Sequence, residues 1–305
     1  MRVLVAGGSG MIGRAVLGIL RQRGHDVLLL VRRPAGDGEV YWDPYHGLLP
    51  RDATIWADAV ISLNGASLTR LPWTGAYRRE ILESRLEPTR LIARTIMESA
   101  PRSPQAWVSA SAVGVYGHRP GEVLTEDSPR GVGFLADVVE EWEKATIAGA
   151  FSPTKVVLAR TGVVLGPGGA LGPLVGLARF GLGGDIGDGR QHWPWIALAD
   201  EAAAIVHLAT DSRLSGPVNL VAPTPATAGD LTRAVARILR RPHRVPAPAW
   251  LLRKALGEAA EGLLLADQQV RPSRLIEEGV FQFAHADAEK ALATAIESMM
   301  ATRSS

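Results

Sequence analysis

The sequence predicts an α/β chain: a doubly wound parallel sheet followed by a smaller, mostly helical C-terminal lobe. Three observations predict it. Short apolar runs alternate with stretches of helical periodicity up to about residue 160, the pattern of strands joined by crossover helices. A glycine-rich turn, GGSGMIG at 7–13, separates the first apolar run from the first helical stretch. Beyond residue 165 the texture changes, with ten glycines in 166–189 and HWPWI at 192–196.

The elements follow in order. Residues 2–6 read as a short buried strand. A helix over 11–23 places Ile12, Val16, Ile19 and Leu20 on one face, and Gly24 stops it. DVLLLV at 26–31 is a second strand, its apolar run suited to a parallel strand covered on both faces. A right-handed crossover joins the two. Residues 34–51 are glycine-rich and read as irregular. A strand at 59–63, a long helix at 77–99 and a strand at 106–109 follow, then a loop to about 133. A helix at 134–148 and a strand at 155–158 complete the alternation. Farther on, 200–209 reads as helix and 218–221 as strand. The next helix, 227–239, has Thr227 as its cap and Asp230 three residues on, a capping-box variant. Pro242, Pro246 and Pro248 break the chain, and the rest to about 296 is mostly helical. The division read from this is 1–165 for a cofactor domain and 166–305 for a substrate or lid lobe, with 200–221 returning to the main sheet.

Composition narrows the class. A chain of 305 residues fits one large domain or two intimate ones. Hydrophobic residues at 47% and charged residues at 21% exclude a disordered chain. Lys+Arg at 33 against Asp+Glu at 31 leaves +2, which gives no reason to expect nucleic acid. The absence of cysteine excludes disulfides, thiolate nucleophiles and Cys-based metal sites. The seven histidines form no i, i+4 pair, so no metal site is expected. There is no apolar run of 18 residues, so no membrane span is expected. The chain opens directly on a strand, so no signal peptide is expected and the expected location is cytoplasmic. The charge cluster VEEWEK at 139–144 reads as a solvated helix face.

The glycine turn carries the strongest functional signal. It satisfies G-x-G-x-x-G as Gly8, Gly10 and Gly13, and G-x-x-G-x-x-G as Gly7, Gly10 and Gly13. Such a turn, after a strand and opening a helix, lets the backbone approach a pyrophosphate and aims the first helical N–H groups at it. This predicts a Rossmann-type dinucleotide site, the alternative being a glycine-rich turn without a ligand. NAD sites place Asp or Glu at the end of the second strand to hold the ribose 2′-OH. This chain has Arg32 and Arg33 there. A guanidinium is planar, always charged and matched to a 2′-phosphate, so the cofactor read from the sequence is NADP(H). The alternative is that both arginines are solvated surface charge.

At this point the chain resembles the extended short-chain dehydrogenase/reductases, and more closely the atypical branch called epimerase family proteins, which carries a C-terminal domain of unassigned role. The matching stretches are GGSGMIG, SLNGAS at 62–67, SRLEPTR at 84–90, VSASAVGVYG at 108–117, LARTGVVLGPGG at 158–169, GDGRQHWPWI at 187–196 and the PAPAWLLRKALGEAAEGLL region from 246. The resemblance implies that Gly7, Ser9, Gly10, Met11, Ile12 and Gly13 line the pyrophosphate and that Arg32 and Arg33 meet the 2′-phosphate. It implies that Asn64, Gly65 and Ala66 lie beside the adenosine ribose and pyrophosphate. Glu80 and Arg85 match polar positions of the long helix, with Arg85 reaching toward the nicotinamide half; the alternative for both is an exposed helix face.

The catalytic pattern departs from that superfamily, whose centre uses a Ser or Thr with a Tyr and a Lys four residues later. The lysine lowers the tyrosine pKa toward neutrality. Here the residues four after Tyr41, Tyr45, Tyr77 and Tyr116 are Tyr45, Leu49, Ile81 and Pro120, so no Tyr-x-x-x-Lys exists. Ser111 best matches the superfamily's active-site Ser, and Tyr116 of the VYG turn is a candidate proton donor with an unassisted pKa near ~10. The alternative is that both only pack. A second departure concerns the substrate. The superfamily's nucleotide-sugar enzymes place an Arg two residues after the Gln of G-x-G-x-Q, to hold a diphosphate. Here Gln191 of GDGRQ is followed by Trp193. Trp193 and Trp195 offer an aromatic wall in its place, or pack as core; Arg179 and Arg190 remain as other possible cations. The first functional reading is an NADP-dependent oxidoreductase or epimerase-like enzyme on a small, non-nucleotide carbonyl or alcohol, as a monomer or homodimer. The second is a non-catalytic NADP-binding redox sensor or partner-binding protein.

Overall fold

Parallel strands need apolar cover on both faces, and the order of the strands here follows from where that cover exists. The computed structural model describes residues 1–149 and 153–301. The main sheet contains β1 (Arg2–Ala6), β2 (Asp26–Val31), β3 (Glu39–Tyr41), β4 (Ala59–Ser62), β5 (Ala106–Ala112), β7 (Lys155–Thr161) and β10 (Gly216–Leu220). Its order is β10-β7-β5-β4-β1-β2-β3, with every pairing parallel. The remaining strands are short: β6 (Val123–Leu124) pairs with β11 (Gln269–Val270), and β8 (Val163–Leu165) with β9 (Trp195–Ala197). The helices are α1 (Met11–Gln22), α2 (Arg51–Trp56), α3 (Gly75–Glu98), α4 (Phe134–Ile147), α5 (Leu171–Arg179), α6 (Leu198–Thr210), α7 (Ala228–Ile238), α8 (Ala249–Leu256), α9 (Glu258–Ala260), α10 (Ser273–Glu278) and α11 (Ala288–Ala301).

Helices α1 and α6 pack together over one face of the sheet, where Val3, Val5, Ile61, Val108 and Val157 are buried. The other face buries Leu4, Val60, Trp107 and Leu158 under α3, and α4 packs beside α3. A separate apolar cluster holds the C-terminal lobe together, joining Leu171, Trp193, Trp195, Leu231, Val235 and Leu292 from α5, the 193–197 segment, α7 and α11. The capping box at Thr227 and Asp230 is present, each side chain accepting from the other's backbone N–H. Residues 302–305 of the second lobe read from the sequence lie outside the described residues.

Four readings need correction. The 34–51 stretch is not wholly irregular: β3 and a 3₁₀ turn at Pro44–His46 lie within it. Because β3 offers β2 only three partners, β2 is mostly half-buried rather than fully covered. Strands β5 and β7 each run three residues past their apolar cores, to Ala112 and Thr161, because they pair with each other along their full length. The 139–144 charge cluster is not a uniformly solvated face, since Glu143 points inward.

That inward turn is set by strand alternation. Trp107, Ser109 and Ser111 share one face of β5, and Val156, Leu158 and Arg160 the same face of β7; the register puts Ser111 opposite Arg160. Arg160 makes a two-pronged ion pair with Glu143 of α4, at 2.8 and 2.9 Å. Ser111 donates to the same carboxylate at 2.6 Å, and Arg160 also donates to the Tyr116 hydroxyl at 2.9 Å. Tyr116 donates in turn to Asn219 of β10 at 2.7 Å. Burial works against the Arg160 charge, but Glu143 and Tyr116 more than offset it and hold its pKa above the ordinary value. On the opposite face, Ala112 pairs with Thr161, whose hydroxyl donates to Glu201 of α6 at 2.7 Å. Glu201 is fully buried, its second oxygen has no partner, and burial raises its pKa to about 8.

Two predictions follow from these buried groups. Glu143→Ala strands the Arg160 guanidinium and is expected to lower unfolding free energy by about 3–5 kcal/mol, whereas Glu143→Leu combined with Arg160→Met recovers most of that loss. Urea melts of the single and double variants check it, and additive losses would disprove the coupling. Glu201 is protonated in the fold at pH values where the unfolded carboxyl has ionised. Its stabilising contribution is therefore complete below the usual carboxylate range and is lost as pH rises toward about 8. Relative to Glu201→Gln, the wild type should lose up to about 1.4 kcal/mol per pH unit across that window. Parallel pH profiles for the two proteins would contradict this.

Candidate functional site

The 7–13 turn leaves β1 and enters α1 at the C-terminal edge of the sheet. Gly7 has φ +82°, and a Cβ there would lie 2.7 Å from the Leu63 carbonyl carbon. A Cβ on Gly13 would lie 2.2 Å from the Gly7 oxygen. The glycines thus bring the turn against its own helix and against the 63–66 loop that follows β4. Gly10 caps α1 in an extended conformation with no side-chain cap, and the first helical turn contains no acid. The N–H groups at this helix start face a polar, exposed turn, the arrangement that accepts an anion. Ser9 is exposed and its carbonyl accepts from Arg14. Ile12 packs against the core, and Met11 faces the 166–169 turn, its Sδ 3.0 Å from where a Cβ on Gly166 would stand. Beside the turn, Asn64 Oδ1 is buried without a hydrogen-bond partner, a group that a ligand donor would satisfy.

At the end of β2 the two arginines part company. Arg33 is tied to Glu39 of β3 by two hydrogen bonds at 2.6 and 2.7 Å, and it also donates to the Pro34 carbonyl. Glu39 is held below the usual carboxylate range, by Arg33 first and then by the Gly36 N–H. Arg32 is exposed. Glu39 was not anticipated because it lies on the short strand that the sequence concealed.

A cavity of about 710 Å³, including its open mouth, lies beyond the ends of β5 and β7. Its walls are Ala112–Gly114, the α4 residues Leu135, Val138, Val139 and Trp142, the 161–163 segment, Trp193 and Pro194, with Arg85 and Leu68 on another side. Gly262, Leu263, Ala266 and Gln268 of the C-terminal lobe roof it. The roof includes a π-helical turn, Glu261–Leu265, a form that recurs at functional sites. Its Leu264 carbonyl accepts from Gln191 at 2.8 Å and from Trp193 at 3.1 Å. Gln268 reaches back to the Val113 and Gly117 carbonyls at 3.1 and 2.8 Å.

Arg85, on α3, donates to the Ile81 carbonyl at 2.8 Å and to the Ala66 carbonyl at 3.2 Å. Its guanidinium carbon stands 5.2 Å from the Trp142 ring centroid, a cation–π distance. A Cβ on Gly65 would lie 3.0 Å from that carbon, so a glycine there permits the approach. Burial lowers the guanidinium pKa to about 10, which leaves it charged at neutral pH.

The other residues singled out by sequence lie elsewhere. Ser111 is buried, its hydroxyl given to Glu143, and it does not line the cavity; its neighbour Ala112 does. Tyr116 is fully buried between Arg160 and Asn219, and burial raises its pKa. It is therefore removed from the position of an exposed proton donor. Glu80 stands on the outer face of α3, 3.9 Å from Arg70. Trp193 lines the cavity, whereas Trp195 is core, its indole N–H given to the Thr224 carbonyl. Neither Arg179 nor Arg190 is on the cavity wall. Sequence reasoning missed Glu143, Arg160, Thr161 and Glu201. The signal for Arg160 was its place in the two-residue period of Val156 and Leu158, which an apolar-run reading ends too early.

The family model described as NAD dependent epimerase/dehydratase family matches residues 3–221, and the model described as Domain of unknown function (DUF1731) matches 247–295. An epimerase family protein of Mycobacterium leprae is 39% identical over 295 residues, covering 96% of this chain and 95% of that protein. The crystal structure of the human epimerase family protein SDR39U1 (isoform 2) with NADPH superposes with a TM-score of 0.87 at 35% identity, covering 97% of this chain and 99% of that one. A structure of a nucleoside-diphosphate sugar epimerase from Corynebacterium glutamicum matches with a TM-score of 0.79 at 33% identity, over 97% of this chain and 58% of that one. No helix among the described residues is long and apolar enough to cross a membrane. With the sheet order, the glycine turn and matches of this extent in agreement, the chain belongs to the NAD dependent epimerase/dehydratase family, among the epimerase family proteins that carry a C-terminal DUF1731 domain.

Proposed function

We propose that the chain is an NADP-dependent oxidoreductase or epimerase-like enzyme acting on a small, non-nucleotide carbonyl or alcohol compound. The observation that carries the reading is the pairing of a glycine turn shaped for a pyrophosphate with an adjoining, largely apolar cavity. Gly7 to Gly13 and the start of α1 would hold the diphosphate, and the orphaned Asn64 Oδ1 in the neighbouring loop fits a ligand hydroxyl or amide. Arg32 would carry the 2′-phosphate, while Arg33 stays partnered by Glu39. The structure of the human relative was determined with NADPH, which supports this choice. The cofactor, when bound, supplies hydride acceptance or donation.

The chain's own part is to enclose a substrate, orient it and hold a hydrogen bond to its oxygen. The polar side chains on the cavity wall are Arg85, Thr161 and Gln268. Thr161 donates to Glu201, and both amide hydrogens of Gln268 have carbonyl acceptors. Arg85 keeps free N–H groups, and it lies against the 64–66 loop of the cofactor site. The Corynebacterium relative is named for nucleoside-diphosphate sugars. A diphosphate needs more positive charge than this wall offers, because Trp193 occupies it with an indole already bonded to Leu264. The sensor reading keeps one observation in its favour: no tyrosine or lysine is among the cavity-lining residues.

Calorimetric titration should show NADP binding at least tenfold tighter than NAD. Arg32→Asp should remove about 2 kcal/mol from NADP binding and narrow or invert the ratio. Equal affinities, or a preference for NAD, would overturn the cofactor assignment. UDP-sugars should show no low-micromolar binding to the NADP-loaded protein, and such binding would overturn the substrate assignment. If a broad carbonyl and alcohol screen gives no cofactor turnover while NADP stays tightly bound, the sensor reading replaces the enzymatic one.

A further inference from the structure

Away from the cavity, the C-terminal lobe has a surface on which apolar and positively charged side chains stand together. Residues 231–257 contain seven Arg or Lys and no Asp or Glu, in a chain whose net charge is +2. Three of these cations are partnered: Arg233 by Asp185 and Asp230, Arg237 by Glu289, and Arg253 by Glu261. Arg240, Arg241, Arg244 and Lys254 are exposed, and among the described residues none of them pairs with a carboxylate. The 242–247 segment runs beside 183–187, bridged between Gly183 and His243 and between Ile186 and Ala247. That pairing brings the end of α5 to the same edge. A Cβ on Gly181 would stand 3.7 Å from the Pro242 ring, and Leu177, Leu182 and Val245 line one groove. Phe180, which caps α5, is 85% exposed; Trp250, in the first turn of α8 and three residues past the pairing, is 66% exposed. Among the described residues 18 large apolar side chains are exposed, and six of them, Leu177, Phe180, Leu182, Val245, Trp250 and Leu251, belong to these two short segments. Grouping of this kind marks an interaction surface, whereas single exposed apolar residues do not.

We propose that this surface docks the protein on an anionic lipid bilayer. Exposed apolar groups and unpaired cations call for different partners, and a bilayer with acidic headgroups offers both, phosphates outside and hydrocarbon beneath. Phe180 and Trp250 stand out from the surface and do not line the groove between them, which suits a fluid medium that parts around them. An indole settles at headgroup depth, and an arginine lays its stem along hydrocarbon while its head stays with the phosphates. Nucleic acid would satisfy the cations but gives Leu177, Leu182 and Leu251 nothing to pack against. The backbone is already stiff, because Pro242, Pro246 and Pro248 each fix φ, so docking orders little that was free. No helix among the described residues is long and apolar enough to cross a membrane, so the contact is peripheral. Helix α8 also runs directly into the segment whose Gly262 and Leu263 roof the cavity, so the chain that meets the lipid continues into the cover of the apolar chamber.

The test is co-sedimentation of the full chain, with and without NADP, on vesicles of phosphatidylcholine alone and of phosphatidylcholine with phosphatidylglycerol in a three-to-one ratio. The anionic vesicles should bind at least tenfold tighter, and added salt should weaken that binding. Arg241→Gln combined with Arg244→Gln should weaken it by about 25-fold, about fivefold for each cation removed. Phe180→Ser combined with Trp250→Ser should weaken it at least tenfold. Both pairs should bind NADP as the wild type does, within twofold. Brominated phosphatidylcholine in the anionic vesicles should quench the wild-type tryptophan emission, and Trp250→Phe should remove that quenching. Melting curves establish that each variant is folded; if a double variant is not, the wild-type lipid preference and the quenching decide. Equal binding to the two kinds of vesicle, or binding to neither, overturns the proposal. So does a loss caused by the arginine pair with none caused by the apolar pair, which leaves a merely basic surface. A DNA duplex or polyglutamate bound as tightly as the anionic vesicles assigns the surface to another partner and overturns it. A lipid-free dimer that Phe180→Ser with Trp250→Ser dissolves assigns it to a second copy of the chain, with the same consequence.

Discussion

The buried pair of Arg160 and Glu143 is the interaction on which the arrangement around the site depends. Two charges taken out of water are tolerated only when geometry and further hydrogen bonds compensate for the lost hydration. Here both prongs of the guanidinium engage the carboxylate, and Ser111 and Tyr116 add to it from β5 and from the turn after it. Through Tyr116 the network reaches Asn219, whose side-chain amide donates to the Arg271 carbonyl, and whose backbone N–H donates to Glu126. Sheet, α4 and the C-terminal segment are thereby held in one register.

This network also decides what the cavity lacks. The strand end that offers Ser111 to α4 offers Ala112 to the cavity, because successive side chains alternate. A hydroxyl at the serine position is thus spent on structure, and polar chemistry at the wall is left to groups from other elements. Arg85 arrives from α3 and Thr161 from the far end of β7. The result is an apolar chamber with a single charge, unlike a surface adapted to a highly anionic ligand.

Much of this was legible in the residues, and the parts that were not share a cause. The 7–13 turn, the strand and the helix on either side of it and the capping box at Thr227 and Asp230 are local patterns, and local patterns survive folding. Elements that depend on a distant partner were hidden. Three-residue β3 exists because β2 offers it an edge, and the ends of β5 and β7 are strand because they pair with each other. Glu143 looked like one more charge in a solvated run, and its partner lies 17 positions away on another element. The split between Arg32 and Arg33 was concealed in the same way, since it depends on Glu39 across the β2–β3 pairing. In the HWPWI segment both tryptophans join the lobe core, and Trp193 also forms part of the cavity wall, a difference that composition could not show.

The roof over the cavity is fastened through main-chain atoms. Gln191 and Trp193 hold it by the Leu264 carbonyl, and Gln268 holds the floor by the carbonyls of Val113 and Gly117. Every residue type has such a carbonyl, so Gly262, Leu263 and Ala266, which show themselves to the chamber, carry none of these bonds, while Leu264 and Leu265 pack against the lobe core. Closure and selectivity are therefore encoded by different residues. A lineage built on this scaffold can exchange what the roof shows to the chamber while the fastening stays as it is, and relatives can diverge in what they accept without first having to reinvent how they close.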